Sequence, residues 1–186
     1  MALNANAIID KTEIKLYLKE ASTAEDTLFE TIINNVSSMF EVYCDNIFII
    51  QALTEDYDGN GTEMLMLRHW PITVLTKVVY EYDGEQAVSN FKYNAATGVL
   101  MSTYAAFPEG FQNVEIQYSA GLAVAKADLP PDLKQAALKQ VEFFYKRDAA
   151  DFSDTFAEGM IVKAPADLFS PIVRGLLAPY RNIRTG

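Results

Sequence analysis

A chain of 186 residues, half of them hydrophobic and 22% charged, can bury roughly two-thirds of the surface its unfolded form exposes, and it is too apolar to stay disordered. The formal net charge of −10 weighs against ordinary nucleic-acid binding, whose affinity comes mainly from Lys and Arg. Cys44 is the single cysteine, which excludes an intramolecular disulfide and fits a reducing compartment.

The opening MALNANAIIDK lacks the basic start and long apolar run of a signal peptide. No stretch approaches the roughly 18 consecutive apolar residues of a membrane span. The expectation is a soluble chain made in a cytoplasm, without membrane contact. Residues 10–21 read as a short helix capped by Asp10 or Thr12. A second helix follows, with Thr23 and Asp26 spaced as a capping box. Its apolar stripe is Leu28, Phe29, Ile32, Ile33, Val36, Met39, Phe40 and Tyr43, and Asp45 and Asn46 are its stop signals.

From residue 47 to about 118 the period changes. Segments 47–53, 64–67, 73–82, 91–93, 99–102 and 114–118 read as six short strands, and their close spacing favours antiparallel pairing. Asp58-Gly59-Asn60-Gly61 and Asp83-Gly84 are hairpin signals. Leu129-Pro130-Pro131-Asp132 opens a third helix running to Arg147, with Leu133, Ala136, Ala137, Val141, Phe144 and Tyr145 on its apolar face. Gly159, Pro165 and Pro171 mark residues 148–170 as irregular. The expected class is α+β. A single domain over residues 1–170 has a helical frame (1–46 and 129–147) and an inserted antiparallel β module (47–120), and residues 171–186 form an extended C-terminal arm.

That arm differs chemically from the body. It holds Arg174, Arg181 and Arg184 and no acid, so three of the 15 basic residues lie there and 12 face all 25 acids elsewhere. Ile172, Val173, Leu176, Leu177, Tyr180 and Ile183 are too apolar for a comfortably solvated tail. Apolar residues with Tyr and Arg suit an interface, although a loosely packed terminus is the ordinary alternative.

Motifs for chemistry are sparse. Asp56-Tyr57-Asp58-Gly59-Asn60-Gly61 copies the opening of a calcium loop, but position 12 is Leu67 where a bidentate Glu is needed. A hairpin turn is the better reading. His69 is the only histidine, and neither it nor Cys44 has the neighbours a nucleophile requires. One His and one Cys also exclude a zinc site built from those residues. The phosphate-loop, dinucleotide and nucleophile-elbow signatures do not occur. No catalytic residue, metal or cofactor is expected, and a non-enzymatic assembly subunit is the reading.

The order of segments resembles a known family. Glu13-Ile14-Lys15-Leu16-Tyr17-Leu18, Asp26-Thr27-Leu28-Phe29-Glu30 and Glu41-Val42-Tyr43 resemble the first two helices of head–tail connector proteins of tailed bacteriophages, the adaptors that dock on the portal. Tyr118-Ser119-Ala120-Gly121, the helix start at Leu129-Pro130-Pro131-Asp132 and Leu176-Leu177-Ala178-Pro179-Tyr180-Arg181 look like the same family. The β block exceeds its compact helical members. The resemblance implies a ring, commonly of twelve subunits, in the virion neck between portal and tail, with DNA passing through the lumen without specific binding. It also implies head-closure or tail-completion proteins as further partners. It assigns Leu176, Leu177, Pro179, Tyr180, Arg181 and Arg184 to a portal-docking arm. Two other readings stand beside it. One is a related neck or tail-completion subunit. The other is a carbohydrate- or peptide-binding β module using Tyr57, Trp70, Tyr80, Tyr82 and Tyr104.

Overall fold

The computed structural model describes residues 2–20, 22–151 and 169–182. Most of the stretch expected to be irregular, residues 152–168, and Arg184 lie outside them. The chain divides into two units, one of residues 1–45 and 126–186 and the other of residues 46–125.

The first unit is helical. Helix α1 (Lys11–Leu18) starts with a reciprocal cap, in which the Asp10 backbone N–H donates to Glu13 Oε2 at 2.7 Å. Helix α2 (Asp26–Cys44) buries Phe29, Ile32, Ile33, Val36 and Phe40. The Thr23–Asp26 capping box does not form. Glu25 is the N-cap and makes no side-chain cap bond, because Asp26 instead turns to Lys15 at 2.8 Å and Lys11 at 3.2 Å. These two cations, with the bond from Lys15 first, hold the Asp26 carboxyl below its ordinary value. The helix stops at Asp45, whose φ of 48° is left-handed.

Ala7, Ile8 and Ile9 are buried ahead of α1. Buried polar groups on α2 anchor this lead-in: Ser37 Oγ accepts the Ile8 N–H at 3.1 Å and Asn34 Oδ1 accepts the Asn4 N–H at 2.9 Å. Helix α3 (Pro131–Asp151) runs four residues past its expected end and buries Leu133, Ala136, Ala137 and Val141. The final described element is not an extended arm. Residues Pro171–Leu177 form helix α4, and Ala178–Tyr180 make a 3-10 turn.

The second unit holds seven strands: β1 (Gln51–Gly59), β2 (Met64–Met66), β3 (Ile72–Tyr80), β4 (Gly84–Gln86), β5 (Phe91–Asn94), β6 (Val99–Ser102) and β7 (Gly110–Ala120). They form two antiparallel sheets, ordered β1-β7-β3-β4 and β2-β6-β5. Tyr57, Leu67, Leu75, Val78, Leu100, Phe107, Val114, Ile116 and Tyr118 share one core, each aliphatic side chain contributing about 1.5–3 kcal/mol by leaving water. Strand β4 is the element the sequence pattern hides.

The Asp83-Gly84 turn joins β3 to β4, with Tyr80 opposite Gly84 and Gly84 at φ 71°. The expected hairpin at Asp58-Gly59-Asn60-Gly61 is absent. Strand β1 continues through Asp56 and Asp58 to Gly59 and pairs with β7, whereas β2 pairs with β6. The reason is packing. Tyr57 points into the core, and Gly59 abuts the Pro108 carbonyl so closely that a Cβ would lie 1.6 Å from its oxygen. Segment 47–50 is no strand, although Ile47 and Phe48 are buried. It is tied instead by the Ile50 N–H to the Ala123 carbonyl at 2.9 Å.

Candidate docking site

Ser170 caps α4 by accepting the Val173 N–H at 3.3 Å, and Pro171 fills the first turn, where no N–H partner is needed. Pro179 follows the helix inside the 3-10 turn. The two prolines therefore bracket a helix where the sequence pattern led to the expectation of an extended arm. Gly175 has open space around it and tolerates the helical backbone.

Segment 169–182 is anchored on its own helical unit. Val173 and Leu177 are buried. The Phe169 ring meets Phe40 and Tyr43 edge-on, with centroids 5.5 and 4.9 Å apart. The Asn182 N–H donates to the Cys44 carbonyl at 2.7 Å, and the Tyr180 hydroxyl donates to Asp132 Oδ1 at 2.6 Å. Burial and that bond raise the Tyr180 phenol above its ordinary value. The Arg181 guanidinium lies 5.0 Å from the centre of the Tyr43 ring.

The five described arm residues thus divide. Leu177 points inward and Tyr180 is tied down at its tip. Pro179 and Arg181 are exposed, and Leu176 is half-exposed beside Ile172, which is 62% exposed. Next to this segment an apolar groove of about 380 Å³ is lined by Ser38, Met39, Val42, Tyr43 and Phe169. The exposed outer face of α2 was legible only as the edge of its apolar stripe. Cys44 lies beneath this region, where burial pushes its thiol up to about 12 against the pull of Arg181. A thiol in that state is a poor nucleophile.

The second unit holds one buried polar cluster. Glu55 accepts the hydroxyls of Tyr57 and Tyr118, the latter at 2.7 Å, and its Oε1 lies 3.4 Å from His69 Nε2. The Tyr57 and Tyr118 oxygens in turn accept the backbone N–H groups of Arg68 and His69 at 2.9 and 3.2 Å. Burial alone would raise the Glu55 carboxyl, but hydrogen bonds from His69, Tyr57 and Tyr118 outweigh it and hold the group at about 2. Burial and Glu55 push both phenols up. A carboxylate that far down is a weak base and the phenols are weak acids. The arrangement ties β1 and β7 to residues 68–69. Sequence spacing could not reveal it, since its members are 63 positions apart at the extremes.

Other motif residues are spent structurally. Asp58 Oδ1 accepts the Gln112 N–H at 2.8 Å, and the Asp56 carbonyl accepts from Arg68. Among the described residues no three His, Cys, Asp or Glu side chains converge as a metal set. Of the five aromatics offered for ligand binding, Tyr57 and Tyr80 are core residues, and Tyr82 and Tyr104 are exposed at 86% and 85%. No helix among the described residues is long and apolar enough to cross a membrane.

Comparison with known proteins follows the same outline. Across its full length the chain shares a fold with a chain in the neck of a native gene transfer agent particle computed with C12 symmetry (TM-score 0.69, 17% identity, 94% of that chain covered). It is likewise similar to chains in the neck of an empty particle computed with C6 symmetry (0.67, 19%, 95%) and in the virion of a native particle (0.71, 18%, 95%), again over 100% of its own length. No curated protein matches the sequence. The model of the family described as head completion protein matches residues 7–183, and the chain belongs to that family.

Proposed function

We propose that this chain is a structural subunit of the neck, joining head to tail in a phage-like particle. The observation that carries the reading is the family match, which spans both units from residue 7 to residue 183. The subunits form a ring around the DNA passage, and DNA moves through it without specific binding because the chain is acidic overall. The chain works without catalysis, and head-closure or tail-completion proteins meet the ring on its far side. It is made in the host cytoplasm and resides in the virion.

The C-terminal segment docks on the portal. In this reading the buried Leu177 and the bonded Tyr180 hold the segment in shape, while Leu176, Pro179, Arg181 and Arg184 present the contact. Native mass measurement of the chain mixed with purified portal rings tests it. The expected result is a complex that is lost in a Pro179→Asp/Arg181→Glu variant. Undiminished binding by that variant would refute the docking assignment. A chain that ignores the portal but binds an assembled portal–connector complex would instead be a tail-completion subunit.

A further inference from the structure

Asn60-Gly61 turns no hairpin, and the loop it forms between β1 and β2 leaves residues 60–63 exposed. Asn60 is the only asparagine in the chain that is followed by glycine. Gly61 has φ 69°, and a Cβ there would meet nothing nearer than 3.9 Å, so no side chain shields its nitrogen. Among the described residues its N–H has no acceptor. The preceding Asp58-Gly59 pair differs, because Gly59 is buried and its N–H donates to Asn113 Oδ1 at 2.8 Å. The Asn60 amide is held at both ends. Its oxygen accepts the Thr62 N–H at 3.0 Å and the Thr62 hydroxyl at 2.9 Å, and its nitrogen donates to the Met64 carbonyl at 2.9 Å. A backbone N–H can only donate and a carbonyl can only accept, so these neighbours fix which end of the amide is oxygen.

We infer that Asn60 is a site of spontaneous deamidation, activated by Thr62 at the amide oxygen. The Gly61 nitrogen attacks Asn60 Cγ and forms a new C–N bond, its proton passing to water. The C=O electron pair moves onto Oδ1, where the two Thr62 donors already point. Donors placed where an oxyanion develops stabilise the transition state more than the ground state. The electron pair then returns and the bond to Nδ2 breaks. That nitrogen takes a proton from water and leaves as ammonia. Water opens the resulting succinimide at either carbonyl and yields aspartate or isoaspartate, so one water enters for each ammonia lost. The product carboxylate no longer donates to the Met64 carbonyl and meets it acceptor against acceptor. It also adds negative charge beside Glu63. The reaction therefore loosens the tie between this loop and the start of β2.

The test incubates the folded full-length chain in heavy-oxygen water at mildly alkaline pH and maps its peptides by mass spectrometry. Residue 60 is expected to take up the label before any other asparagine, as a mixture of aspartate and isoaspartate. Earlier labelling of another asparagine would overturn the inference. So would an unlabelled residue 60 in the folded chain when the urea-unfolded chain takes the label up, since the bonds would then lock the amide. A second measurement uses Thr62→Val, which removes the hydroxyl and keeps the backbone donor, and Thr62→Ser, which keeps both. Circular dichroism checks that each is folded. The valine is expected to slow labelling about fivefold, the rate equivalent of one hydrogen bond, and the serine to keep the wild-type rate. A folded valine variant labelled as fast as wild type would overturn the activation by Thr62. Should the valine variant fail to fold, the order of labelling in the wild-type chain still decides.

Discussion

Replacing Glu55 by Gln isolates the buried polar cluster of the β unit. The carboxyl sits at about 2 in the folded chain against 4.5 for the free side chain. At about 1.4 kcal/mol for each tenfold change, the difference is worth roughly 3 kcal/mol of folding free energy at neutral pH. Because the folded value is the lower one, the stabilisation is fully present above pH 4.5 and is lost as pH falls toward 2. It should have dropped to about half by pH 3. Urea unfolding of wild type and Glu55→Gln, followed by the fluorescence of Trp70, reads this unit directly, since Trp70 is the only tryptophan and lies next to His69. The expected gap is about 3 kcal/mol at pH 7 and narrows between pH 4.5 and 2. A gap below about 0.5 kcal/mol at pH 7, within the scatter of ordinary surface substitutions, or one that does not change with pH, would refute the reasoning.

Three further outcomes follow from the packing. Leu177→Ala should destabilise the helical unit by about 2–5 kcal/mol and Tyr180→Phe by about 1 kcal/mol, each measured by thermal or urea unfolding; wild-type stability in both would mean that the C-terminal segment is not docked on its own unit. Cys44 should react with a thiol reagent at pH 8 far more slowly in the folded than in the urea-unfolded chain, because a thiol pushed up from 9.0 to about 12 holds about a thousandfold less thiolate. Gly59→Ala should cost about 3 kcal/mol or more or prevent folding of the β unit, since the added carbon would collide with the Pro108 carbonyl; soluble, cooperatively unfolding Gly59→Ala protein of wild-type stability would show that the strand does not pass there.

The helices were legible because their signals are local. The apolar spacing of Phe29, Ile32, Ile33, Val36 and Phe40 and the proline start of α3 lie within single elements, and all of these are seen in the fold. The strands were legible as strands, but their partners were not. Asp58-Gly59-Asn60-Gly61 carries the residues of a tight hairpin, yet β1 runs into it and pairs with β7, some 60 residues away. Long-range pairing and the inward turn of Tyr57 override the local turn preference. Pro171 was read as a mark of irregular chain for the same reason, since only the packing of Val173 and Leu177 tells a helix start from a disruption. The Glu55 cluster and the α2 groove depend on residues brought together by folding and have no spacing signature.

As a head completion protein, this chain joins the head to the tail. Electron microscopy of particles made by cells lacking this chain tests that most directly. The result expected is DNA-filled or emptied heads separated from tails, with joined particles restored when the chain is supplied. Intact tailed particles in normal number, formed in its complete absence, would contradict it.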